Sequence, residues 1–279
     1  MPGAHSGAQA EAATAALASA LLASKASLTA AQRRVVTATR DAHLLHATVL
    51  RTPDPTARST AGAAAAPPPA KPAKVSLAAL IAAEKGLAAR HAKLVPTSRG
   101  LTALLFGSLS VAATTYASAL SAKGRVPVRK TPAHPPTPEV LDDVAGLQAV
   151  VGQLHALIYG YQVATGRLSV GSKSRDRALS GLTERRALRD RLISLLIARN
   201  ASVPAAEPAY VTSPKVRGAG SATALIASME TAFVPYTGQW LAAAARPADQ
   251  QLAWATMRRA ASLARTWGGP IGAWPGWPS

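Results

Sequence analysis

The chain has 279 residues, a net charge of +18, 48% hydrophobic residues and no cysteine. The missing cysteine excludes disulfide frameworks, thiolate zinc sites, iron–sulfur clusters and cysteine nucleophiles. Roughly a quarter of the residues are alanine, the best helix former, while strand-forming residues are sparse, so composition alone predicts an all-α protein.

In chain order, helices are predicted near Gln9 to Ala23 and Leu28 to Leu50, making an N-terminal helical region over residues 1–51. The start, Met1 to Gln9, carries no Lys or Arg, and Ala15 to Ala23 is mostly alanine. A secretory signal needs a basic start and a stronger apolar run, which favours a cytoplasmic chain. Residues 52–74 form a Pro/Ala-rich linker with Thr52-Pro53-Asp54-Pro55 and Pro67-Pro68-Pro69, because prolines lack amide donors and break helices. A helical hairpin follows over residues 75–122, its first helix capped by Ser76 and running to about Leu94, its second running from Leu101 to Ala122. The stretch between Arg99 and Lys123 is uncharged and long enough to span a bilayer. Its seven Ser and Thr residues dilute the apolar character and favour a buried soluble helix.

A second Pro-rich linker over 123–136 leads into a helical bundle over 137–279. Thr137-Pro138 reads as N-cap plus first-turn proline for a helix reaching Thr165. Further helices are expected over Ser174 to Arg199, Ser221 to Ala245 and Pro247 to Trp267, with Pro235 kinking or breaking the third. Four such helices with short connections make a four-helix bundle. Only Phe106 and Tyr116 of the aromatic residues precede Thr137, which predicts that the C-terminal half is the better-packed unit.

No Gly-rich phosphate loop, GxSxG or HExxH motif is present. The histidines are His5, His43, His46, His91, His134 and His155. His43 and His46 stand three apart and Glu84 and His91 seven apart, each pair on one helix face. Metal binding by either is open, but isolated pairs more often pack or face solvent.

In the helix after Pro138, Val140, Val144, Leu147, Val151, Leu154, Ile158 and Tyr161 form a core stripe at alternating steps of three and four. The face with Gly146, Ala149, Gln153, Ala156 and Gly160 admits a closely approaching helix or faces solvent. In the next helix Arg185 and Arg189 interrupt the apolar stripe of Leu182, Leu192 and Leu196. In the third, Glu230 shares a face with Ile226, Ala227, Phe233 and Val234. A lone acid on such a face is costly unless paired, so an interior polar cluster of Gln153, Arg185 or Arg189, and Glu230 is expected. Its default role is a structural ion pair.

The stretches Gln153-Leu154-His155-Ala156-Leu157-Ile158-Tyr159-Gly160-Tyr161, Arg185-Arg186-Ala187-Leu188-Arg189-Asp190 and Pro204-Ala205-Ala206-Glu207-Pro208-Ala209-Tyr210 carry a resemblance, together with the Glu230 helix and the tail Trp267-Gly268-Gly269 and Trp274-Pro275-Gly276. In that order they resemble the actinobacterial DUF4439 family, a ferritin-like helical domain of unknown function, over residues 146–279. The resemblance implies a ferritin-like bundle. In that family an acid stands at the position of Gln153 and a histidine at that of Arg185, so the resemblance implies a degenerate site here, with His155 the one histidine after Thr137. A ferritin-like di-iron site needs about four carboxylates and two histidines. No catalytic residue, metal or cofactor is therefore assigned to this half.

The expected function is a non-catalytic binding or structural module, self-associating or strapped by its Trp-rich tail. The alternatives are a di-iron oxidoreductase-like protein and weak association with a polyanion or an anionic membrane surface. The basic residues are spread along the chain, 16 Lys/Arg against 4 Asp/Glu before Thr137 and 15 against 9 after it, so specific nucleic-acid recognition is not expected. The family resemblance leaves export or membrane association open.

Overall fold

A computed structural model describes residues 3–56, 74–130, 132, 135 and 139–278. Most of the 52–74 linker, together with His134, Thr137 and Pro138, lies outside these residues. Among the described residues the secondary structure is eight α-helices and one isolated β-bridge. The helices are α1 (Ala4–Ala23), α2 (Ala30–Val49), α3 (Leu77–Ala92), α4 (Gly100–Leu120), α5 (Asp143–Thr165), α6 (Lys173–Ile197), α7 (Ala219–Ala243) and α8 (Pro247–Thr266).

Local chemistry sets most helix starts. Thr29 and Gln32 form a reciprocal capping box at α2. The Ser76 hydroxyl accepts the Ala79 amide at α3, as its position predicts. The start of α5 differs from expectation. Asp142 is its N-cap and accepts the Ala145 amide at 2.7 Å. An ionised side chain at the positive end of a helix is a stronger cap than a threonine hydroxyl. α7 runs through Pro235 as one helix.

The chain forms two compact units, Met1–Glu139 with Pro270–Ser279, and Val140–Gly269. The first holds α1 to α4 and the second α5 to α8. The expected C-terminal boundary therefore moves: the bundle reading carried residues 137–279 as one body, whereas the last ten residues belong to the first unit. They reach it through backbone pairing, Arg129 N–H donating to Ile271 O at 2.8 Å and Ile271 N–H to Pro127 O at 3.0 Å. Ile271, Ala273, Trp274 and Trp277 are buried there.

In the first unit α1 packs on α2, α3 on α4, α1 on α3 and α2 on α4. α4 is long and apolar enough to cross a membrane by length and composition, yet it is buried along nearly its whole length in this unit. Large fully buried side chains lie in both units, Phe106, Tyr116, Leu104 and Leu109 in the first and Trp240, Tyr161, Phe233 and Leu154 in the second. Alanine-rich surfaces let helices approach closely, so few large residues fill the interior.

In the second unit α5 packs on α6 and α7, and α7 on α8. Leu147, Val151, Leu154, Ile158 and Tyr161 are buried as the stripe predicts, while Val140, before the helix, is exposed. The small face of α5 is in contact with α7. A Cβ at Gly146 would stand 3.0 Å from Ala243 Cβ and 3.4 Å from Trp240 Cα. Arg199 pairs with Asp143 and with Asp249, tying the end of α6 to the starts of α5 and α8.

Trp240 is fully buried and its backbone cannot yield, so Gly146→Val should destabilise the second unit by about 1–3 kcal/mol. Thermal unfolding of the full chain measures this as a lowered Tm.

Candidate functional site

Among the described residues, each unit holds a buried polar cluster supplied by its first three helices. In the first unit the face of α1 reads Ala8, Glu11, Ala15, Ala18, all buried. Glu11 is a lone carboxylate on an otherwise apolar stripe. α2 presents His43 and His46 one turn apart, and α3 presents Glu84 and His91 two turns apart. All five side chains are fully buried.

Their contacts converge on Glu11. One carboxylate oxygen meets His43 Nδ1 in a short hydrogen bond and His46 Nδ1 at 3.1 Å. The other meets His91 Nε2 at 2.7 Å. The far nitrogen of His43, Nε2, lies 2.6 Å from Glu84 Oε1. His46 Nε2–H donates to the Ala273 carbonyl at 2.9 Å, which turns the other ring nitrogen, Nδ1, toward Glu11. Trp274 meets the His46 ring edge-on at 4.7 Å, and Phe106 stacks near His91 at 6.1 Å. Glu84 Oε2 and His91 Nδ1 are buried without a hydrogen-bond partner among the described residues. Two such atoms in one cluster leave buried hydrogen-bonding capacity unused by the protein's own groups.

Burial pushes the Glu11 carboxyl up, but the attraction and hydrogen bonds of His43 and His46 outweigh it and hold it well below the usual carboxylate range. Burial lowers His43, and the two facing carboxylates, Glu84 and Glu11, reverse this and push it up to about 10. Burial raises Glu84, with His43 opposing. Burial, then the charges of Glu84 and Glu11, raises the Tyr116 hydroxyl, whose ring lies 6.0 Å from His43. In the absence of any other cation, a proton on His43 balances the buried carboxylates.

Glu11, His43 and His46 each offer one ligand atom, all within 4.8 Å of one another. Ligand atoms about 2.0–2.2 Å from one tetrahedral ion stand roughly 3.3 Å apart, so these residues are close enough to share a single divalent transition ion once the short Glu11–His43 hydrogen bond opens. Two imidazoles and a carboxylate suit Zn²⁺, Fe²⁺, Mn²⁺ or Co²⁺ better than Ca²⁺ or Cu⁺. The Ala273 carbonyl behind His46 is the outer-shell partner such ligands use to fix tautomer and ring orientation.

The sequence reading treated His43–His46 and Glu84–His91 as isolated pairs, whereas the structure buries them together around Glu11. The signal for Glu11 and Glu84 was present: each is a lone acid on an apolar helix face, the argument applied to Glu230. That three helices bring them to one point is a tertiary fact that no local spacing carries.

In the second unit Arg185 and Glu230 meet in a bidentate pair, with Nε to Oε1 at 3.0 Å and Nη2 to Oε2 at 2.6 Å. Tyr161 OH donates to Glu230 Oε1 at 2.7 Å, and the guanidinium lies over the Phe233 ring. Burial pushes the Glu230 carboxyl up while Arg185 opposes it. The other expected members lie elsewhere. Arg189 turns to Asp190 near the surface. His155 is half-buried against the Pro204 carbonyl at 3.1 Å. Gln153 is half-buried and makes no hydrogen bond to the pair. Tyr161, read as a core stripe residue, takes the place expected for Gln153, because its hydroxyl reaches inward and the amide does not.

Residues 146–279 match the family described as "Domain of unknown function (DUF4439)", so the C-terminal half of the chain is a DUF4439 domain. Among solved structures the chain is similar to a conserved hypothetical protein, rv2844, from Mycobacterium tuberculosis. That likeness has 26% identity and a TM-score of 0.43, over 45% of this chain and 93% of the other. No curated protein matches.

Two measurements follow from the clusters. Arg185→Met should cost about 3–5 kcal/mol by stranding a buried carboxylate, and adding Glu230→Leu should recover most of it, in a double-mutant cycle read by denaturant unfolding. In metal-stripped protein, His43 is held above its ordinary value of 6.5. Its contribution is therefore complete below about pH 6.5 and is lost as pH rises through about 10. The Tm should fall over that window, and His43→Gln should flatten the fall.

Proposed function

We propose that the protein is a transition-metal-binding helical protein, its site built in the first unit by Glu11, His43 and His46 with His91 and Glu84 beside them. The observation that carries this is the convergence of three buried imidazoles and two buried carboxylates, two of whose polar atoms lack partners. Burying five ionisable side chains is costly, and one divalent cation can neutralise both carboxylates while using the imidazole lone pairs. Every protein ligand is closed off from solvent, and closed sites hold an ion rather than present it to a substrate.

The second unit is read as a non-catalytic ferritin-like module. The DUF4439 match and the four packed helices support that reading. Arg185 brings its own positive charge to Glu230, and with Tyr161 it fills the carboxylate's hydrogen-bonding capacity. An ion there would have to displace a bidentate guanidinium.

Elemental analysis of purified full-length protein, as isolated and after dialysis against Zn²⁺, Fe²⁺, Mn²⁺ or Co²⁺, tests the proposal. One ion per chain is expected, lost in His43→Gln and Glu11→Gln but kept in Arg185→Met. At free metal one hundred times the Kd, stabilisation should be about 2.7 kcal/mol. Protein that takes up none of these ions and whose Tm ignores them would overturn it.

A further inference from the structure

The five buried groups pose a question of access. An ion reaches Glu11, His43 and His46 only if something covering them moves, because all three are fully buried. Most of what surrounds them is helix, held by continuous backbone hydrogen bonds within α1 to α4 and by packing between them. Among the described residues, the non-helical segment that touches a ligand side chain is Pro270–Ser279, the last ten residues of the chain, which fold back onto this unit.

We propose that this C-terminal strap is the gate and the positioning element of the metal site, admitting the ion when it lifts and fixing His46 as a ligand when it closes. The proposal rests on the metal-binding reading above. Its physical basis is that one non-helical segment both covers and orients a ligand side chain. It supplies the Ala273 carbonyl that accepts His46 Nε2–H at 2.9 Å, and the Trp274 indole that meets the edge of the same ring. Its backbone is anchored by the Arg129–Ile271 and Ile271–Pro127 bonds on either side of a parallel bridge between Val128 and Ile271. Trp274 Nε1–H donates to Pro132 O at 3.2 Å, and the burial of Ile271, Trp274 and Trp277 keeps the strap closed in the resting state. Lacking the continuous hydrogen-bond ladder of a helix, a short segment of this kind opens locally at lower cost than the helices around it. The chain leaves the second unit through Gly268 at φ +91° and Gly269, and turns again at Gly276 at φ +89°, so positive-φ glycines stand before and within the strap.

The carbonyl matters as much as the cover. With Nε2–H tied to Ala273, the His46 ring is held with Nδ1 toward Glu11, where a bound ion would take the Nδ1 lone pair. With the strap lifted, the ring is free to rotate and to exchange tautomers. Loss of an outer-shell partner of this kind weakens metal binding by about 10–100-fold. The strap therefore lowers the dissociation rate in two ways, by closing the path and by orienting the ligand.

Two full-length variants test this with Zn²⁺ and Co²⁺ as the probe ions. Trp274→Ala removes the cover but keeps the backbone anchors. It should speed release of bound ion to excess EDTA about tenfold or more and alter the Co²⁺ absorption spectrum, with helix content by circular dichroism unchanged. Val128→Cys with Ile271→Cys joins the two bridge partners. The natural chain has no cysteine, so the only disulfide that can form closes the strap. The oxidised variant should load and release Zn²⁺ at least tenfold more slowly than the same protein after reduction. Wild type that binds the ions, with release rates the same in Trp274→Ala and the same in the oxidised and reduced double variant, would overturn the gate while leaving the metal site standing. Wild type that binds neither ion would overturn both.

Discussion

The first unit depends on the carboxylate of Glu11. It sits on a helix of alanines with no solvent to stabilise it, and its two oxygens gather three imidazoles from two other helices. Alanine supplies little burial energy per residue, so interior polar groups are what distinguish one register of α1 against α2 and α3 from its neighbours. Sliding α1 by one turn would strand Glu11 among alanines and take the shared carboxylate from His43, His46 and His91. The same bonds that specify the packing also assemble the ligand set, and fold and site are one constraint here.

The second unit solves the same problem differently. Its first three helices also each send one polar group inward, Tyr161, Arg185 and Glu230, but the positive charge is built into the chain as a guanidinium. A cation that cannot leave makes the cluster self-sufficient. The approach needed for it is visible at Gly181, where a Cβ would stand 2.8 Å from the Tyr161 ring. Within one chain, a bundle closed by its own arginine follows a bundle whose buried histidines and carboxylates leave two polar atoms unpartnered.

Much of this was legible in the residues and some was not. Helix class and most helix spans follow from alanine content, Ser76 and Pro247. The Arg185–Glu230 pair follows from one rule, that a lone acid on an apolar face needs a partner. The same rule holds for Glu11 and Glu84, to which the sequence reading did not apply it, and their partners come from other helices. The start of α5 falls at the Asp142 cap, later than the Thr137-Pro138 signal predicted. Least legible was the strap. His46 and Ala273 are 227 residues apart, and no periodicity links them. The tail's tryptophans announced a packed segment, but one expected along the C-terminal bundle, whereas it packs in the first unit.

The most direct test of the account is X-ray absorption at the zinc edge on Zn²⁺-loaded full-length protein. The account predicts a first shell of nitrogen and oxygen at about 2.0–2.1 Å with the outer-shell scattering of at least two imidazoles, reduced by one imidazole in His46→Gln. A shell of oxygen alone, or one unchanged by that substitution, would contradict it.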